Sequence, residues 1–192
     1  MKNWFTIRGL VFSTCFAALF VLSSFLNIRL GFTPVPITLE NMVVMLAGAI
    51  LGAKYGFLSI GLLVALGAAG LPLFGGRGGL AHILGPTGGF IWMFPIAALL
   101  IGYFTRKLKA AGMASRVLSV VIMFGFGSLL LYVTGVPWLA HKAGMSLHEA
   151  MVVGCYPYLL GDAVKAVIAA NVALIVKKVY PPERIVGESA FH

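Results

Sequence analysis

This chain is poor in charge and poorer still in acid. Of its 192 residues 10% are charged, and only five are Asp or Glu. A water-soluble domain carries about 25% charged residues, so a free-standing aqueous domain is excluded. Cysteine is scarce too: Cys15 falls in the inner half of the first apolar run and Cys155 near the outer end of the last. Two cysteines at different depths give no disulfide, and without clustered His or Cys they give no metal site. No glycine-rich stretch ends in the Gly-Lys-Ser or Gly-Lys-Thr of a phosphate-binding NTPase loop. Any ATP-driven work must therefore come from other chains. The long apolar runs also lack the two-residue alternation of a membrane barrel, and no repeat of fixed period or low-complexity tract occurs.

What is present is hydrophobic. Apolar residues make up 60% of the chain and the mean hydropathy is +1.02. At about 20 apolar residues per crossing, the length suits six helices, placed at 8–30, 37–53 (short), 55–71, 86–105, 115–135 and 154–176. The fold class expected is an all-α membrane protein, a six-transmembrane-helix bundle in a single domain over 1–192, with a polar, frayed tail from about 180. Lys2 and Arg8 precede the first apolar run as in a signal peptide, but the run is too long and no small-x-small cleavage site follows. It reads as a retained helix. With both termini inside, the inner face carries Lys2, Arg8, Lys54, Arg106, Lys107, Lys109, Arg116, Lys177, Lys178 and Arg184, against Arg29, Arg77 and Lys142 outside. That asymmetry marks cytoplasmic loops. It accounts for much of the net charge of +9 without an exposed basic stripe, so no nucleic-acid partner is expected.

The feature that points to chemistry is a charge pair within the last apolar run. Asp162 and Lys165 are three residues apart and share a helix face. Each costs about 2.5–3.5 kcal/mol in a membrane helix on insertion-based scales, so the pair marks a cavity that binds something. A second candidate is Thr38-Leu39-Glu40-Asn41, following Thr33-Pro34-Val35-Pro36. Thr38 as helix cap with Glu40 and Asn41 in the first turn would explain the residues structurally, but their shared depth with Asp162 also suits a site. The third is the outer loop from Leu71 to Gly89. A plain connector does not require Phe74, Leu80, Ile83 and Leu84, whose burial would fold the loop over the helices. Gly75, Gly76, Gly78 and Gly79 let a backbone approach a ligand, and Arg77 can meet an anion or a lipid phosphate. A lid over a pocket is the expectation.

Other features read more plainly. Thr14 and Ala18 form a small-xxx-small spacing that lets helices approach closely in lipid, within the bundle or between molecules. His82, His141 and His148 fall in outer loops, where solvated histidine is ordinary. Gly125-Phe126-Gly127-Ser128 faintly resembles a membrane-protease serine motif without its base.

Taken in order, Thr33-Pro34-Val35-Pro36-Ile37-Thr38-Leu39, Leu46-Ala47-Gly48 to Leu51-Gly52, Gly70-Leu71-Pro72-Leu73-Phe74 with Gly75 to Gly79, Leu84-Gly85-Pro86-Thr87-Gly88-Gly89-Phe90 and Gly161-Asp162-Ala163-Val164-Lys165 cover most of 8–178. In that order and spacing they resemble the BioY family, the biotin-binding S component of energy-coupling factor (ECF) vitamin transporters. The resemblance implies an S-component bundle in a bacterial cell membrane, with both termini cytoplasmic and the substrate site near the outer surface. It implies biotin as transported substrate rather than cofactor, and a transmembrane T component and two ATPases as partners in the lipid. Members are thought to topple in the membrane, carrying the vitamin inward. It also implies docking through an Ala-x-x-x-Ala motif, where Thr14 here replaces the first alanine before Ala18. Members often carry Gln where Glu40 stands.

Biotin presents ureido N–H donors, a ureido oxygen, an apolar ring and a carboxylate. Buried polar groups must be paired, so Asp162 is expected to accept from the ureido N–H and Lys165 to donate to the ureido oxygen or to Asp162. Arg77 or the amides of Gly75 to Gly79 would hold the carboxylate, with Phe74, Tyr158 and Trp92 as walls. A proton-coupled secondary transporter using Asp162 is the alternative; a membrane enzyme lacks a nucleophile–base pair, and a scaffold would not need Asp162 and Lys165.

Overall fold

The computed structural model describes residues 6–28, 30–108, 112–181 and 184–185. Thr6 caps the first helix, its hydroxyl accepting the Gly9 N–H at 3.0 Å. That helix, α1, runs Ile7–Phe25, shorter than the 8–30 read from hydropathy. Beyond it the chain extends as β1 (Asn27–Ile28), which pairs antiparallel with β2 (Ile37–Thr38) across a proline-containing loop.

Helix α2 is assigned as Glu40–Ala68, yet it is two crossings. Gly52 has φ 79° and ψ 176°, a region essentially open to glycine alone. The chain folds back there. A Cβ on Gly56 would lie 2.9 Å from the Gly48 Cα, two positions that an unbroken helix holds about 12 Å apart. The arms, 40–51 and 53–68, are the second and third crossings expected from the sequence.

The outer loop contains α3 (Leu80–Ile83) and leads to α4 (Gly88–Thr105). Helix α5 (Met113–Phe124) continues through a π-helical turn at Gly125–Leu129 into α6 (Leu130–Ala143). This fifth crossing outruns its expected end at 135, because Pro137 is tolerated inside the helix and Gly144 ends it in a left-handed cap. Next comes α7 (Leu147–Gly154), which the sequence reading missed; Ser146 and Glu149 start it with a reciprocal capping box. A 3-10 turn at Tyr156–Tyr158 introduces α8 (Leu159–Val179). Among the described residues five helical stretches are long and apolar enough to cross a membrane, and the fold-back at Gly52 makes six passes of them.

Direction follows from contacts. Tyr55 meets Thr6, the Ser59 hydroxyl donates to the Ser13 carbonyl at 2.6 Å, and Ser24 meets Leu73, so α1 and the second arm of α2 run the same way. Small residues set the spacing of the middle helices: a Cβ on Gly48 would strike the Ala98 carbonyl, and one on Gly102 the backbone of Gly52 and Ala53. At the end away from the loops, Lys177 Nζ donates to the Thr105 carbonyl at 2.9 Å. Between that contact and the outer half, Ala166, Ala169, Ala170 and Ala173 of α8 are at most 2% exposed and cluster with Met45, Ile122 and Met123.

Ile185 of the tail is buried in the same cluster; 182–183 and 186–192 of the tail expected to fray lie outside the described residues. Arg29, Lys2 and Lys109 of the charge reading also lie outside them. Cys15 is exposed and Cys155 buried, both as free thiols. Ser128 sits in the π-helical turn with its buried hydroxyl unpartnered, which leaves the faint protease motif without a base.

Candidate functional site

Asp162 lies in the first turn of α8, where the positive end of the helix favours a carboxylate. It is 5% exposed. Both its oxygens are engaged: Lys165 Nζ donates to Oδ1 at 2.9 Å and the Tyr132 hydroxyl to Oδ2 at 2.5 Å. Lys165 also donates to Asn41 Oδ1 at 3.2 Å. An ammonium has three N–H groups, so one remains for a guest. Helices α2, α6 and α8 thus contribute to one polar cluster, and its buried charges are paired as burial requires.

The cluster lines a cavity at the end of the bundle that carries the loop around Phe74. Of the residues singled out in the sequence, Thr38, Glu40, Asn41, Phe74, Gly75, Arg77, Tyr158, Asp162 and Lys165 line it. Thr38 does not cap α2, whose cap position is Leu39; its hydroxyl turns instead to Glu40 Oε2 at 3.5 Å. The strand register Asn27↔Thr38 holds both of those residues at the cavity. Tyr158 donates its hydroxyl to the Val35 carbonyl and at 3.3 Å to Thr33 Oγ1, while Thr33 donates to the Val153 carbonyl at 2.7 Å. These bonds pin the loop after β1 to the junction of α7 and α8.

Trp92 is not part of this wall. It is 45% exposed on the outside of α4, and the helical period turns Phe90, Ile91 and Phe94 inward in its place. Gly76, Gly78 and Gly79 do not line the cavity either. Gly75 and Gly76, with φ of 57° and 79°, form the tip of a tight hairpin between Phe74 and Arg77. A Cβ on Gly78 would collide with the Leu71 carbonyl. Three amides of the loop are already spent: Gly75 N–H donates to Ser24 Oγ at 2.7 Å, Arg77 N–H to the Phe74 carbonyl at 3.1 Å and Gly79 N–H to the Gly67 carbonyl at 2.7 Å. The guanidinium that this loop brings to the cavity is that of Arg77. Phe74 and Ile83 are buried, Leu80 and Leu84 exposed. Phe74 packs edge-on against Phe20 at 5.8 Å, so the loop covers the pocket from an anchored base.

Sequence reasoning missed Tyr132, His82, Asn27, Phe90, Ile91 and Phe94. A phenol in the apolar run of α6 needs a partner, and that was the available signal for Tyr132. His82 is no solvated loop histidine. It is half-buried in α3, lines the cavity and packs beside Phe74 with ring centroids 5.6 Å apart. Burial first, then the Arg77 charge, holds its pKa below the ordinary 6.5. The stripe of Thr14 and Ala18 is exposed on α1, so it is not consumed by packing within the bundle.

A six-pass helical bundle with a polar cluster under a loop-covered cavity is a membrane protein built to hold a small solute. The BioY family model matches residues 1–182, and the chain belongs to the BioY family. It is 35% identical over 182 residues to the biotin transporter BioY of Lactococcus lactis, covering 93% of this chain and 95% of that one. Against the biotin transporter BioY of Rhizobium etli the identity is 41%, with 91% and 95% covered. In three dimensions it resembles the crystal structure of the S-component for biotin from an ECF-type ABC transporter, with a TM-score of 0.83, 34% identity, and 90% and 92% of the chains covered.

Proposed function

We infer that this protein binds biotin from the outer side and delivers it across the membrane as the substrate-binding S component of an ECF-type ABC transporter. The observation that carries this reading is the paired Asp162–Lys165 couple, held by Tyr132 and Asn41 beneath an otherwise largely apolar cavity. Such a site suits a ligand with a compact polar head and an apolar body. The ureido group meets Asp162 and the free N–H of Lys165, the rings lie against Phe74, Phe90 and Tyr158, and the carboxylate meets Arg77. The family membership and the names of the relatives support biotin over another small vitamin.

Orientation follows from charge. Arg8, Lys54, Arg106, Lys107, Arg116, Lys177, Lys178 and Arg184 belong to the passes' ends away from the cavity, and this excess of positive charge supports a cytoplasmic placement of that end and of both termini. The exposed Thr14 and Ala18 stripe offers α1 to a transmembrane T component, and two ATPase subunits supply the work that this chain has no motif for. Proton-driven transport by Asp162 is the weaker reading, since both carboxylate oxygens already hold partners. Calorimetry of the purified protein with biotin tests the proposal: one site with saturable binding is expected, and no heat or displacement at millimolar biotin would overturn it. Uptake into liposomes holding this chain alone, abolished with the proton gradient, would favour the secondary transporter.

A further inference from the structure

Two nitrogen-bearing side chains of the outer loop face the cavity with no carboxylate partner among the described residues: Arg77 and His82. Both are mounted on Phe74. Arg77 exchanges backbone hydrogen bonds with it at 3.0 and 3.1 Å, and the His82 imidazole lies 5.6 Å from its ring. Neither ring nitrogen of His82 has a hydrogen-bond partner among the described residues. The other charged and titratable groups facing the cavity are Glu40 on α2, Tyr132 on α6, Tyr158 at the 3-10 turn, and Asp162 with Lys165 on α8. Thr38 contacts Glu40, and Tyr132 and Lys165 occupy Asp162. From α1, β1 and the start of α4 come only the uncharged Ser24, Asn27 and Thr87.

We propose that His82 is a second, proton-dependent recognition group for the ligand's carboxylate: neutral in the empty pocket, it takes up a proton as that carboxylate seats beside Arg77. Capture at the outer surface is thereby coupled to external pH. The proposal rests on the biotin reading above.

The sign follows from the surroundings. In the empty site, burial and Arg77 disfavour the imidazolium. An arriving carboxylate adds an opposite charge at short range and raises the imidazole pKa. Between the free and bound values, binding consumes up to one proton, so affinity falls as pH rises, by at most tenfold per unit. Below the free value and above the bound value the affinity is flat. The carboxyl of biotin, with an ordinary pKa of about 4.3, is ionised throughout this window.

The test is titration calorimetry of the purified full-length chain at pH 5.5, 6.5 and 7.5, in two buffers of different ionisation heat, with biotin and with biotinamide. Biotin should bind about three- to tenfold more tightly at pH 5.5 than at 7.5, with buffer-dependent heat showing proton uptake. Biotinamide, which has no carboxylate, should show neither effect. His82→Gln should bind biotin with a flat profile. The biotinamide comparison uses the unaltered chain and so tests whether proton uptake requires the carboxylate even where the variant fails to fold. A flat biotin profile, an unchanged slope in His82→Gln, or an equal slope with biotinamide would each overturn the role of His82. Absence of biotin binding at every pH would overturn the transporter reading itself.

Discussion

A carboxylate inside an apolar helix survives only when its cost is met locally, and at Asp162 the compensation is visible. The ion pair to Lys165, the Tyr132 hydroxyl and the N-terminal end of α8 all partner the buried carboxylate. Asp162→Asn keeps the shape and removes the charge, so biotin should bind at least about tenfold more weakly, roughly 1.4 kcal/mol; an unaltered isotherm would remove Asp162 from the site. Tyr132→Phe preserves the ring that packs edge-on to Phe90 at 6.4 Å but deletes a hydrogen bond to a charged group, worth about 1.5–3 kcal/mol. A loss of about tenfold in affinity is expected. Because both residues act through one carboxylate, the double variant should lose less than the sum; additive losses in the four-way comparison would assign Tyr132 a separate role. At this scale the sequence was readable where charge stood out against apolar surroundings, as at Asp162, Lys165 and Glu40. It was unreadable where an ordinary residue gained its role from a distant neighbour. Tyr132 is 30 positions from Asp162, and no local pattern reports which helix faces meet. Trp92 shows the converse: an aromatic near the site in sequence was turned to the outside by helix phase.

Among the elements, the sharp reversal at Gly52 governs the bundle, because it turns one helical stretch into two passes. Any side chain there must adopt a backbone conformation costing about 1–3 kcal/mol. Gly52→Ala should therefore lower the thermal midpoint by several degrees in a detergent melt, whereas Gly31→Ala, whose Cβ meets nothing within 4 Å, should leave it unchanged. Equal midpoints for the two variants would mean that the reversal tolerates a side chain. This break was legible, since Gly52 and Gly56 flank a lysine and a tyrosine between two apolar runs. Helix α7 was not: its capping box stands just before the expected crossing, and hydropathy alone merges a short helix with the loop beside it. The outer loop was legible as a structured cover but misleading in its glycines, three of which serve tight turns and backbone packing instead of touching the cavity.

For the molecule as a whole, the proposed binding and docking functions fall on different surfaces. The proposed solute site lies among α2, α6, α8 and the loop around Phe74, while the Thr14 and Ala18 stripe is exposed on α1. Thr14→Trp is compatible with a lipid-exposed surface and should leave biotin affinity in purified protein within twofold. In cells supplying the T component and ATPases, uptake should fall by about an order of magnitude if docking loses 1.4 kcal/mol. Full uptake by the variant would move the docking face elsewhere. The number of passes and their order were legible from composition and charge; which face of α1 stayed uncovered needed the packed bundle.

The alanine seam of α8 has a consequence for traffic. Beneath Lys165 buried apolar side chains fill the interior down to the clasp of Lys177 on Thr105. A passenger resting above that seam meets packed side chains ahead of it among the described residues, which favours delivery by moving the doorway itself rather than by a channel through the bundle.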